Sequence, residues 1–194
     1  MSPRPLATIG LAVALAGCGI NSIPTAEENA KARWADVQND YQRRADLIPN
    51  LVATVKAAGA QEKDILTQVT QARASATQVK VSGDDLTDPA KVAAYERAQN
   101  AVSLNLQRLQ EAYPELKSQQ NYATLMSQLE GTENRITIAR RDYNQAVQDY
   151  NTTIRTFPAA VGARIFYGAK PMTPFAATTP GADTAPPVNF GNAG

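Results

Sequence analysis

The sequence predicts an all-α protein, an antiparallel bundle of three to four long helices followed by a disordered C-terminal tail. Three observations carry this. Apolar residues recur with 4-3 spacing through three long segments. The segments end at turn or proline signals, Ser82-Gly83-Asp84-Asp85, Tyr113-Pro114 and Phe157-Pro158. Apolar residues make up 43% of the 194, enough for a sizeable core.

The chain opens with Arg4 and an apolar run from Leu6 to Ala16. This run is too short to span about 30 Å of hydrocarbon as a helix and fits the core of an export signal. It ends in Leu15-Ala16-Gly17-Cys18, which resembles a bacterial lipobox. The resemblance implies cleavage before Cys18, diacylglycerol on its thiol and a third acyl chain, such as palmitate, on the new amino group. Residues 1–17 are then a lipoprotein signal peptide and 18–25 a tether. More than one acyl chain makes anchoring stable. Gly19 after the cysteine, in place of aspartate, points to the outer membrane if the host is Gram-negative.

The bundle is expected over residues 26–168. Thr25 and Glu28 have the spacing of a capping box. A heptad seam runs from Trp34 through Val37, Tyr41, Ile48, Leu51, Val55, Ala58, Ile65, Val69, Ala72 and Ala76 to about Val81. Val52 and Leu66 widen it. Pro49 predicts a kink or break. At 1.5 Å per residue this segment would reach roughly 80 Å, against about 35 Å for the next. Either the first segment folds back or its N-terminal half needs a partner.

Thr87-Asp88-Pro89 reads as the start of the second segment, with proline in the first turn. Its seam is Val92, Tyr95, Val102, Leu106 and Leu109, interrupted by Gln99. The third segment runs from about Gln119 to Phe157, with Tyr122, Met126, Leu129, Ile136, Tyr143, Val147, Tyr150, Ile154 and Phe157 in register. Tyr143-Asn144 recurs seven residues later as Tyr150-Asn151. Its tyrosines read as core with hydroxyls reaching outward, the alternative being a ligand-facing stripe. Residues 159–167 suit a short apolar helix. Residues 169–194 turn to Pro, Thr, Ala and Gly and predict a flexible tail.

Composition narrows the function. Nineteen basic against eighteen acidic residues leave +1, no basis for nucleic-acid binding. There is no histidine, which excludes Ser-His-Asp and Cys-His nucleophile pairs and His-ligated metals. A single cysteine excludes an internal disulfide and a cysteine-ligated cluster. No enzyme activity, metal or cofactor is therefore expected.

Two stretches carry a family resemblance. The first runs from Tyr41 to Lys56, Y-Q-R-R-A-D-L-I-P-N-L-V-A-T-V-K, with Trp34 upstream. The second opens at Tyr113-Pro114-Glu115-Leu116-Lys117. It continues through Leu129-Glu130-Gly131-Thr132-Glu133-Asn134-Arg135-Ile136 and Ala139-Arg140-Arg141-Asp142-Tyr143-Asn144, and closes on Tyr150-Asn151 and Phe157-Pro158. Over about residues 26–168 the chain resembles the LemA family. The resemblance implies an antiparallel helical bundle and an envelope protein, sometimes encoded near membrane proteases. Gln61-Glu62 stands where members often carry a His-Glu pair, so it implies no metal role. A lipobox replaces the transmembrane helix of many members.

Arg44, Glu62, Glu133 and Arg140 fall at seam positions and are the candidates for a buried ionic layer. Trp34, Arg43, Asp46 and Asn50 are the candidates for an interaction surface. The expected function is a non-catalytic scaffold or adaptor in the cell envelope, its body outside the cytoplasm. The bilayer holds it through Cys18, and it acts by homo-oligomerisation or by docking a membrane protease or other envelope protein, in envelope protein quality control. The alternative is a periplasmic helical module that binds a small ligand.

Overall fold

The computed structural model describes residues 21–59 and 62–176. The expected signal peptide, Cys18 and residues 177–194 lie outside the described residues. The elements are α1 (Ser22–Ala57), α2 (Lys63–Gln78), α3 (Pro89–Ala112), α4 (Gln120–Thr153) and the short α5 (Ala159–Gly162). α5 runs on into a π-type turn, Ala163–Tyr167. Single 3-10 turns, Gly83–Thr87 and Pro114–Ser118, lie before α3 and α4.

α1 starts earlier than the expected cap at Thr25. Thr25 lies inside the helix, its hydroxyl donating to the Asn21 carbonyl. Pro24 is tolerated because amides in the first turn have no helical partner anyway. The larger difference is at Pro49. The helix does not break there but runs through it to Ala57. The break comes ten residues later, at Gly59, whose φ of +86° is the left-handed conformation that ends helices. The long first segment is thus two antiparallel helices. Its seam hid the turn because Ala58 and Ile65, on either side of it, keep the same heptad phase.

α3 begins as expected. Asp88 accepts hydrogen bonds from the Ala90 and Lys91 amides, and Pro89 occupies the first turn. Ser82 and Asp85 form a reciprocal capping box on the turn before it. α1 and α4 pair along their lengths, α3 runs beside both halves of that pair, and α2 covers only the half away from the start of α1. Two apolar clusters result. The far one joins Ile48, Leu51 and Val55 of α1 to Leu66 and Val69 of α2, Val102, Leu106 and Leu109 of α3, and Tyr122 and Leu129 of α4. The near one joins Ile23, Trp34, Val37 and Tyr41 to Val81, Tyr95, Ile136, Tyr143, Val147, Tyr150 and Ile154.

The N-terminal half of α1 needs no second protomer to cover it. Met172 and Phe175 belong to the near cluster and are buried. Residues 169–176, expected in the flexible tail, run extended along α4 and stand in for a fourth helix. Phe157 departs from the third seam. α4 ends at Thr153, before the register reaches it, and its ring is 86% exposed.

Candidate functional site

Between the two clusters lies a polar layer centred on Arg44. Its side chain is 1% exposed. Nη2 donates to the Gln99 carbonyl at 2.9 Å and to Gln99 Oε1 at 2.8 Å. Nη1 donates to Ser103 Oγ at 2.6 Å and to Glu133 Oε1 at 2.8 Å. One arginine of α1 therefore ties α3 to α4. The Tyr41 ring lies 4.9 Å beneath its charge. Glu133 keeps 39% of its side chain exposed, so the pair is buried at one end and wet at the other.

Arg140 forms a second pair, with Glu96 of α3, both side chains being 12% exposed. It also donates to the Ala176 carbonyl at 3.2 Å and caps the Phe175 ring at 4.5 Å. From Ser103 and Glu133 to Glu96 and Arg140 is seven residues back on α3 and seven forward on α4, as antiparallel helices require. The layer is two rungs, one heptad apart.

Of the four ionic candidates, the structure brings Arg44 and Glu133 into contact and places Arg140 in the next rung. Glu62 is not part of the layer. It is the exposed residue just before α2, and its backbone amide bonds to the Tyr113 hydroxyl at 3.2 Å. It had been placed in the core by a register that ran straight through the Gly59 turn. Glu96 and Ser103 were missed because both flank the α3 seam. With Glu62 outside the layer and Glu133 taken by Arg44, Arg140 is left needing another carboxylate, and Glu96 supplies it.

Trp34 is not a surface residue. It is 2% exposed and donates to the Val81 carbonyl at 3.0 Å. Its ring centroid lies 5.2 Å from Tyr95, 5.3 Å from Tyr143 and 5.5 Å from Phe175. Burial raises the Tyr41, Tyr95 and Tyr143 phenols above their ordinary value. Arg43, Asp46 and Asn50 are exposed on α1, with Asp46 held by Gln42 at 2.7 Å.

The Tyr-Asn repeat serves the chain's own backbone. Asn144 accepts from the Phe175 amide at 2.8 Å and donates to the Phe175 carbonyl at 3.1 Å. Asn151 does the same with Met172, both at 2.8 Å. The Tyr143 and Tyr150 hydroxyls donate to the carbonyls of Thr173 and Lys170. The spacing explains the repeat. Seven helical residues rise about 10.5 Å, and three extended residues cover about 10 Å. Each asparagine amide therefore meets one peptide group of the strap, as a neighbouring strand would.

Among the described residues, no three His, Cys, Asp or Glu side chains are grouped to hold a metal ion. No described helix is long and apolar enough to cross a membrane. An open groove of about 680 Å³ runs between α3 and α4 beside Glu133, Arg140 and Arg141. These features define an all-helical bundle whose interior charges join its helices and whose C-terminal strap completes its core. The chain belongs to the LemA family, whose sequence profile matches residues 33–190. That match includes the strap. No curated protein matches the chain.

Proposed function

We propose that this LemA-family chain is a lipid-anchored envelope protein with a non-catalytic scaffold or adaptor role. The observation that carries the reading is the position of Cys18. The sole cysteine closes the Leu15-Ala16-Gly17 motif and stands four residues before Ser22, where a helix of 36 residues begins. An acyl anchor there would join a stiff rod almost directly. The exposed Arg43, Asp46 and Asn50 lie on one turn-to-turn stripe of α1, available to a second copy or to a membrane partner such as a protease in quality control. The bonded interior polar groups support a structural role for the ionic layer.

The test is a detergent pull-down of the protein crosslinked in its own cells, followed by mass spectrometry. One dominant membrane partner, lost with Cys18→Ala and with Arg43→Glu, supports the adaptor. Self-crosslinks alone support a scaffold. Recovery of neither overturns the reading. The small-ligand alternative is favoured by the groove between α3 and α4, whose volume is within the usual ligand-site range. A reproducible rise in melting temperature with a soluble ligand, lost on Arg141→Ala, would support it.

A further inference from the structure

Seven large apolar side chains are exposed among the described residues, and five lie within residues 157–167. They are Phe157, Val161, Ile165, Phe166 and Tyr167, with Phe157, Ile165 and Phe166 more than two-thirds exposed. The segment packs in an inverted sense. Its small residues, Ala159, Gly162 and Ala163, face the near core, and its large ones face out. A cap built for stability alone would turn the large side chains inward. A concentrated exposed apolar patch marks a contact surface.

Charge and position say what it contacts. Residues 154–176 contain Arg155, Arg164 and Lys170 and no aspartate or glutamate. All three cations are exposed. Aromatic and aliphatic side chains on a segment whose charged residues are all cations suit an anionic phospholipid surface. The tip also sits at the end of the rod where α1 begins. Ile23 shares a core cluster with Ile154, Ala159 and Ala163. Four residues of fully extended chain span at most about 14 Å, so an acylated Cys18 would hold this end against the bilayer.

We propose that the tip formed by residues 157–167 inserts into the phospholipid surface as a second membrane contact. The rod then stands on its α1 N-terminal end, with the α1–α2 turn pointing away. The inference builds on the lipid-anchor reading, but its test does not need the lipid.

The chain from residue 18 onward, carrying Cys18→Ser, is floated with vesicles of phosphatidylethanolamine and phosphatidylglycerol. It is expected to float. The triple variant Phe157→Ser, Ile165→Ser, Phe166→Ser is expected to lose about tenfold in bound fraction, with an unchanged circular-dichroism melt because these side chains are exposed. Phe157→Ser alone should give a partial loss. Vesicles of phosphatidylcholine should bind less. Absence of flotation by the parent, or equal flotation by the triple variant, overturns the proposal. A parent that sediments as a dimer, dissociates in the triple variant and ignores vesicles assigns the tip to a second copy and also overturns it. Labelled palmitate fed to the host reads the anchor separately. Label on Cys18 without flotation removes the tip alone; flotation without label removes the anchor and leaves the tip.

Discussion

Arg73 of α2 donates from Nε to the carbonyl of Ala45 in α1, at 2.6 Å. That carbonyl is the acceptor four residues before Pro49, which has no amide hydrogen to give it. The arginine of one helix thus completes the backbone of another, and α1 passes through its proline unbroken.

The two residues are therefore expected to be coupled. Arg73→Ala removes a charge-assisted bond to a part-buried carbonyl and should cost about 1–3 kcal/mol in urea unfolding. In a Pro49→Ala background the restored amide serves Ala45, and the Arg73→Ala cost should fall by about 1 kcal/mol. Equal costs in both backgrounds would sink the account.

Arg44→Ala strips partners from Gln99, Ser103 and Glu133 together. A loss of about 3–5 kcal/mol is expected. Glu133→Gln should cost less, about 1–2 kcal/mol, because its carboxylate is partly solvated and a glutamine oxygen still accepts from Arg44. Thermal or urea melts of both variants check the order.

The seam residues were the most legible part of the fold. Val92, Tyr95, Val102, Leu106 and Leu109 are buried as their spacing required, and Gln99 intrudes because Arg44 needs it. Tyr122, Leu129, Ile136, Tyr143 and Tyr150 follow the same rule on α4. What failed was whatever periodicity does not encode. A heptad frame cannot say that Gly59 turns the chain while Pro49 does not, because the remedy for Pro49 is an arginine 24 residues away. It placed Glu62 in the core for the same reason. Trp34 looked unpartnered because its cover, Phe175, comes from a Pro/Thr-rich stretch whose composition resembles a linker. Asn144 and Asn151 were visible as a repeat, but their acceptors were not.

Asn144→Ala removes both bonds to Phe175, and Asn151→Ala both bonds to Met172. Each should cost about 2 kcal/mol, or about 1 per bond. Hydrogen exchange at the Phe175 and Met172 amides should accelerate in the matching variant while the α2 amides stay protected. Uniform acceleration would contradict a separable strap.

Alkaline pH should unfold the protein. Burial raises the phenol of Tyr95, with a further push from Tyr41, and burial alone raises that of Tyr143. In the unfolded chain they ionise near the ordinary 10.0. Below that pH both states hold the proton and stability is flat. Above it the unfolded chain binds fewer protons, so stability falls as pH rises. Phenolate absorbance of these rings should appear together with loss of helical circular dichroism. Ionisation in a still-folded chain near pH 10 would contradict this. Asp85 acts in the opposite limb. Lys91 and then Ser82 hold its carboxyl well below the usual range, so its contribution is present above about 3.8 and fades on acidification through the lower folded value.

The polar layer at Arg44 also partitions the molecule's motions. α2 covers only the far cluster and the strap only the near one, so each half has a cover the other does not share. The strap bonds to α4 and not to α2, and the rings against Trp34, from Tyr95, Tyr143 and Phe175, all lie outside α2. Such a rod opens from either end as a separate cooperative unit, with α1 and α4 as the common spine. A load applied at the N-terminus of α1 would reach the near half first and spend itself there, leaving the far end folded and its surface intact.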